Sequence, residues 1–374
     1  MQTSNTHSTH ADSTGFMRRD FNRSPFIVIW EVTRACQLHC LHCRAEAQRH
    51  RDPGELSTAE GKRLIDEIAG LDKPLLVFTG GDPLEREDLF ELIEYGTKQG
   101  LKVSITPSAT PKVTHEAIAK AKSAGLERWA FSLDGSTAEI HDRFRGTKGS
   151  YDRTIYALNV LRELQIPIQL NTTVSRYNLT DLQKIAELAA QYDATLWSVF
   201  FLVPTGRARA KDMISAEEHE QVVEWLYELS QSSSFDVKTT EAPYYRRVVL
   251  QHRKEQGADG MARPIHDPKS LRAAMGVNDG NGFVFISHLG DVSPSGFLPL
   301  VAGNVRVQSL AEIYRESPMF QNLRNPDLLK GKCGICEFRK VCGGSRAKAF
   351  SMTGDYMESD PSCVYQPQVL SHTI

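Results

Sequence analysis

Residues 26–43 read FIVIWEVTRACQLHCLHC. An apolar run, FIVIWEV, passes directly into three cysteines, Cys36, Cys40 and Cys43, spaced C-x3-C-x2-C. The run has the length and branched side chains of a buried strand, so the cysteines fall in the loop after a first strand. Three thiolates are one fewer than the four irons of a cubane iron–sulfur cluster. Such a set leaves one iron open to a further ligand. A structural zinc site needs four ligands, and only His39 or His42 could supply the fourth from the same loop. The plain reading of both histidines is as polar loop residues.

Outward from this stretch, strands and helices alternate to about residue 204. STAEGKRLIDEIAGL (57–71) has helical spacing and opens with a capping box of Ser57 and Glu60. PLLVFTGG (74–81) is a short apolar strand closed by two glycines. Helical patterns at 85–100, 111–125, 151–165 and 178–192 alternate with strand patterns at 101–108, 126–135, 166–175 and 194–204. Six strands with helices between them imply parallel βαβ units. The periodicity fits an open doubly wound sheet or a barrel equally well. A further capped helix follows at 215–231, and residues 277–300 read as a β-hairpin turning at His288–Asp291.

The remaining cysteines, Cys333, Cys336, Cys342 and Cys363, stand as C-x2-C-x5-C-x20-C in a stretch rich in glycine and serine. That stretch buries little apolar surface, and a metal group would supply the missing cross-links. Zinc and an iron–sulfur cluster both suit four thiolates. The seven cysteines of the 374-residue chain divide into three and four. The first residues are polar and lack the apolar core of a signal peptide, which suggests a reducing, cytoplasmic setting. A net charge of −2 gives no field for nucleic acid or a membrane surface, and no apolar run approaches the ~18 residues of a membrane span. The expected organisation is a disordered tail over 1–25, an α/β core over 26–235 and a small irregular metal-binding region over 236–374.

The cysteine triplet after a first strand, followed by TGGDPL (79–84) after a second, resembles the radical S-adenosylmethionine enzymes. The resemblance implies a partial (β/α)6 TIM-like barrel followed by a small irregular iron–sulfur domain. It implies S-adenosylmethionine and a 4Fe-4S cluster held by Cys36, Cys40 and Cys43. The turn at Gly80 and Gly81 would hold the cofactor's amino group through backbone carbonyls, since glycine permits close backbone approach. Asp82 stands where the family usually has glutamate. Ser132 and Asp134 would lie near the ribose and carboxylate, and Arg145 and Arg153 are candidates for the methionine carboxylate. Asn171, Thr173, Leu202 and Val203 would lie along the adenosine. An ion pair or core packing is the plain alternative for these positions. The second cysteine group resembles a reduced SPASM/twitch extension with one auxiliary 4Fe-4S cluster. Ser295 and Ser345 occupy places where related proteins often carry cysteine.

The implied chemistry is reductive cleavage of S-adenosylmethionine to a deoxyadenosyl radical, which then takes a hydrogen atom from the substrate. That first step requires no acid–base pair. The spacing of the second cysteine group, with FLVPTGRARA (201–210), looks most like haem-biosynthesis members that trim sirohaem-derived tetrapyrroles or coprohaem. Arginines in GRARAK (206–211) and YYRRVV (244–249) could meet tetrapyrrole carboxylates. Peptide maturation is the second reading. It is disfavoured because only some 25 residues precede the first strand, fewer than a leader-binding domain needs. A non-enzymatic iron–sulfur or zinc scaffold is the third. The expected electron donor is an external flavodoxin or ferredoxin.

Overall fold

The computed structural model describes residues 19–255 and 276–368. Seven strands follow one another in a parallel array: β1 (Ile27–Glu31), β2 (Leu75–Thr79), β3 (Val103–Ile105), β4 (Arg128–Ser132), β5 (Ile168–Val174), β6 (Leu196–Phe201) and β7 (Asp236–Thr240). β8 (Phe283–Ile286) then returns to pair in parallel with the free side of β1, Ile27 opposite Phe283. β9 (Asp291–Ser293) and β10 (Gly303–Asn304) extend that edge in antiparallel fashion. The helices between the parallel strands are α1 (Thr58–Ala69), α2 (Leu89–Lys98), α3 (His115–Ser123), α4 (Ala138–Arg145), α5 (Ser150–Glu163), α6 (Leu182–Gln191) and α7 (Ala216–Ser232), with α8 (Tyr245–Glu255) after β7.

The strand pattern explains the two faces of the sheet. β5 alternates strictly: Ile168, Leu170, Thr172 and Val174 are buried, while Gln169, Asn171 and Thr173 are half-buried and line a cavity. That is the period-two signature of a pleated strand. Trp30, Phe78, Trp129 and Trp197 fill the layer between sheet and helices and are fully buried. Both expected capping boxes are formed, at Ser57 with Glu60 and at Ser215 with Glu218.

The sheet extends beyond the six strands read from sequence. β7 pairs in register with β6, Leu196 opposite Asp236, so the expected boundary at 235–236 falls inside the sheet. Its sequence, DVKTT, lacks an apolar run because none of its residues is fully buried. The hairpin expected around His288–Asp291 is formed by β8 and β9, with Ile286 opposite Val292. Of the expected disordered tail, residues 1–18 lie outside the described residues, and 19–25 are folded. Ser24 is buried and bonded to Asp72, and the Tyr314 hydroxyl donates to the Phe21 carbonyl at 2.6 Å. These polar contacts come from chain remote in sequence, which no local pattern announces.

Candidate active site

The cysteine loop lies across the C-terminal ends of the strands, where barrel ligands gather. Backbone bonds fix its course. Gly81 N–H donates to the Thr33 carbonyl at 2.9 Å, and Asp82 N–H to that of Ala35 at 2.7 Å. Leu41 N–H donates to Phe144 O and Arg207 N–H to Cys43 O. Four glycines leave room for it. A Cβ at Gly80 would stand 2.5 Å from Thr33 O, and one at Gly81 2.5 Å from both Ala35 O and Arg34 O. Gly146 would meet His39 O at 2.3 Å, and Gly206 would meet Cys43 O and Arg44 O at 2.5 Å. Gly146 and Gly206 also have φ near +60°, which favours glycine. The turn TGGDPL thus seats the start of the cysteine loop, and two further glycines, not singled out in the sequence, lie close against its later residues His39, Cys43 and Arg44.

Cys36, Cys40 and Cys43 all face one cavity of ≈1050 Å³. Burial pushes the Cys36 thiol up to about 11, and burial likewise raises Cys40. Metal binding therefore displaces protons from these sulfurs. Leu38 N–H donates to Cys36 Sγ at 3.4 Å, and Ala47 N–H to Cys43 Sγ at 3.5 Å. The Arg145 guanidinium lies 3.6 Å from Cys40 Sγ and favours its thiolate. Ser108, another residue the sequence did not mark, accepts from Cys36 Sγ–H at 3.5 Å and donates to the Gly81 carbonyl at 2.9 Å. His42 is stacked on Phe144 with ring centres 4.1 Å apart. Burial holds it well below the usual histidine range, hence neutral.

The sequence-marked positions separate into two groups. Gly80, Gly81, Ser132, Arg145, Asn171, Thr173, Leu202 and Val203 line the cavity with the three cysteines. Asp134 stands behind Arg145: its carboxylate lies 2.5 Å from Arg145 Nη2 and accepts from Thr173 N–H at 2.7 Å. Arg153 lies on α5, away from the cavity lining. Asp82 is fully buried and turned toward the chain itself. It accepts from Leu84 N–H at 3.1 Å, Ser108 N–H at 3.3 Å and the Thr110 hydroxyl at 2.7 Å.

Asp82 makes a prediction. Alanine there leaves three donors without an acceptor, so the chain should lose about 2–3 kcal/mol of stability by chemical denaturation. Burial also pushes the Asp82 carboxyl up to about 6. The folded chain then holds its proton more tightly than the unfolded chain, whose carboxyl titrates near pH ~4. This contribution to stability is full below that point and is lost as pH rises through about 6. An asparagine variant should lose this part of the pH dependence.

The four later cysteines also converge. Cys333, Cys336, Cys342 and Cys363 line one small cavity with Tyr244, Arg247 and Phe338. Asp360 N–H donates to Cys333 Sγ and Gly344 N–H to Cys342 Sγ, each at 3.4 Å. Consecutive left-handed glycines, Gly343 and Gly344, bend the chain after Cys342. A Cβ at Gly344 would stand 3.1 Å from Cys333 Sγ. Among the described residues, no three His, Cys, Asp or Glu side chains close on a single metal ion. Thiols spaced around a cavity match the donor chemistry of a multi-iron cluster, whose cysteines each hold a different iron.

A family model described as the Radical SAM superfamily matches residues 30–189. The chain is 43% identical over 344 residues to the AdoMet-dependent heme synthase of Methanosarcina barkeri, covering 92% of this chain and 97% of that one. It is 30% identical over 349 residues to the PqqA peptide cyclase of Rhodopseudomonas palustris, covering 92% and 88%. Among solved structures, Streptococcus suis SuiB bound to S-adenosylmethionine shares the fold, with a TM-score of 0.70 at 15% identity over 92% of this chain and 78% of that one. A cysteine triplet seated on paired glycines at the mouth of a parallel sheet, in a chain this close to such relatives over nearly its whole length, makes it an enzyme of the radical SAM superfamily.

Proposed function

We propose that this enzyme makes haem by oxidatively trimming the carboxylated side chains of an iron porphyrin. The cavity is the observation that carries the reading. At ≈1050 Å³ it lies at the upper limit of pockets for drug-sized ligands. Its walls combine apolar side chains such as Phe200, Phe283, Phe297 and Leu250 with Arg44, Arg128, Lys238, Arg246 and Arg253. A flat apolar macrocycle carrying carboxylates needs that mixture. The identity to a haem synthase, 43% against 30% for the peptide cyclase, supports it.

The superfamily binds S-adenosylmethionine and a 4Fe-4S cluster; together they supply a carbon radical that removes a hydrogen atom. In the proposed reaction a propionate side chain loses that hydrogen atom, carbon dioxide and one electron, and becomes a vinyl group. Cys333, Cys336, Cys342 and Cys363 would hold an auxiliary iron–sulfur cluster, which would supply a one-electron acceptor there. A flavodoxin- or ferredoxin-type protein is the proposed donor for the first site.

The chain's own residues position the reactants. Arg145, held by Asp134 and beside Cys40, presents its guanidinium to the cavity for a carboxylate. Arg44 is fixed by Glu31 at 3.1 Å and lies over the Phe285 ring at 4.6 Å. Arg246 lines the cavity but bonds the carbonyls of Val341 and Val277, so it joins the wall to the second cysteine region. Arg247 turns away to Glu220, and the arginines of 206–211 lie outside the lining.

The test is an anaerobic assay with reconstituted iron, a strong reductant, S-adenosylmethionine and coprohaem. The expected products are haem, carbon dioxide and deoxyadenosine. Deoxyadenosine without any change in the iron porphyrin would rule the substrate out.

A further inference from the structure

Two buried donors beside the second cysteine group have no hydrogen-bond partner among the described residues: the Tyr244 hydroxyl and Arg247 Nε. Both residues line the small cavity that Cys333, Cys336, Cys342 and Cys363 enclose. Tyr244 is 0% and Arg247 3% exposed. A buried donor left unsatisfied costs about 1–3 kcal/mol, and folded chains tolerate few of them. Two on one small cavity point to a ligand there that accepts hydrogen bonds. The fold explains their pairing. Tyr244 directly precedes α8 and Arg247 lies in its first turn, three residues on, so the two side chains leave the helix start on one side.

The rest of the arginine is engaged. Its Nη1 donates to Gln251 at 2.7 Å, its Nη2 to both Glu220 oxygens at 2.6 Å, and the guanidinium lies over the Tyr365 ring at 4.8 Å. The other polar side chains of the lining offer the two donors no acceptor. Lys332 and Arg339 only donate, and the Tyr365 hydroxyl is bonded to Glu337. Sulfur is what remains. Two of the cysteine sulfurs already accept from main-chain N–H groups, and Arg346 Nη2 stands 3.7 Å from Cys333 Sγ. Neither Tyr244 nor Arg247 bonds a cysteine sulfur directly, which suits an acceptor seated among the four thiols. Burial pushes the Tyr244 hydroxyl well above the usual tyrosine range, so it keeps its proton and remains a donor.

We propose that the Tyr244 hydroxyl and Arg247 Nε–H donate hydrogen bonds to the sulfur of an iron–sulfur cluster held by these four cysteines, and thereby raise its reduction potential. This rests on the cluster reading of the second site. Reduction adds one negative charge, much of it on sulfur, so each donor stabilises the reduced form more than the oxidised one. The site thus becomes a readier electron acceptor. Tyr244 also stands between the two cavities, its ring centre 6.4 Å from that of Phe201, which lines the large one. The donors therefore act on the side of the second site that faces the large cavity. Neither residue lines that cavity, so both are positioning residues.

Redox titration of the full chain loaded with iron and sulfide, followed by its paramagnetic signals, tests this in wild type, Tyr244→Phe and Arg247→Lys. The first site's signal is recognised by its change on adding S-adenosylmethionine, and the second site's by its indifference to it. Tyr244→Phe removes only a hydroxyl, so it should fold and keep its iron. Reduction of its second site should be about tenfold less favourable, a fall of about 59 mV for one electron, while the first site stays put. Arg247→Lys keeps a charge beside Glu220 but places a methylene where Nε–H stood, and should shift the same site in the same direction. In heavy water, electron–nuclear double resonance of the reduced second site should show exchangeable deuterons, and Tyr244→Phe should lose one of them. Full iron with an unmoved potential in both variants overturns the proposal and leaves the cluster standing. Zinc, or no iron, at the four cysteines of the wild-type chain overturns the cluster reading and the proposal with it.

Discussion

Alanine at Cys36, Cys40 and Cys43 together is expected to abolish cleavage of S-adenosylmethionine and leave roughly half the iron, about four of about eight atoms per chain. The expectation rests on the separation of the two thiol groups. The first three sulfurs face the large cavity, and the other four enclose a different one beyond Tyr244 and Phe338. The loss should not come from unfolding. The cysteine loop is held by main-chain bonds, Cys36 N–H to Gln48 O, Gln48 N–H to Arg34 O and Asp82 N–H to Ala35 O, none of which needs a metal. Iron, sulfide and deoxyadenosine are measured on protein purified without oxygen, with circular dichroism as the control for folding. Full iron content in the triple variant would show that these thiols hold none of it. Loss of all iron would show that the second site depends on the first.

How far the sequence could be read is clearest at particular residues. The strands of the core were legible because burial on both sides of a sheet demands apolar runs such as LLVF and FIVIW. β7 was not, because the half-buried side chains of DVKTT carry no such demand. α4 was missed for a related reason. AEIHDRFR buries only His141 and Phe144, and its Arg145 serves the cavity rather than the helix. The cysteines and the glycine pair are local motifs, so spacing found them. The steric role of Gly146 and Gly206 depends on chain more than a hundred residues away, and a lone glycine after a polar segment reads as an ordinary turn. Asp82 marks the opposite limit. The motif places cofactor binding on the backbone of the turn and gives the carboxylate no task, and only the fold shows that it serves three donors of the chain itself. Ser345 was visible only as a departure from a pattern, and Glu241, which accepts from its hydroxyl, carried no sequence signal at all.

Valine at Gly81 should remove iron from the first site and lower stability, and this differs from what the motif alone suggests. Read as a ligand-binding turn, Gly81 leaves space for the cofactor, and a larger side chain would weaken cofactor binding while sparing the cluster. The structure fills that space with the cysteine loop. A Cβ at Gly81 would lie 2.5 Å from the carbonyl oxygens of both Arg34 and Ala35 and 2.8 Å from the carbonyl carbon of Ala35. Backbone cannot swing aside as the tip of a long side chain can. Either β2 or the loop that begins at Thr33 must therefore move, and the 2.9 Å and 2.7 Å bonds that staple them together lengthen. Overpacking of this kind costs about 1–3 kcal/mol. The Gly81 carbonyl would move with it, and so would Ser108, which joins that carbonyl to Cys36. The three thiols would lose their common geometry before any cofactor arrived. Gly70→Ala is the matched control. Its Cβ would meet nothing closer than 3.4 Å, in a right-handed helical conformation with φ of −69°, and it should leave iron content unchanged. Iron at the first site is counted by the paramagnetic signal of the reduced cluster in the folded fraction of each variant. A full signal in Gly81→Val, with only S-adenosylmethionine affinity reduced, would mean that the loop yields to the side chain and that the glycine serves the ligand instead.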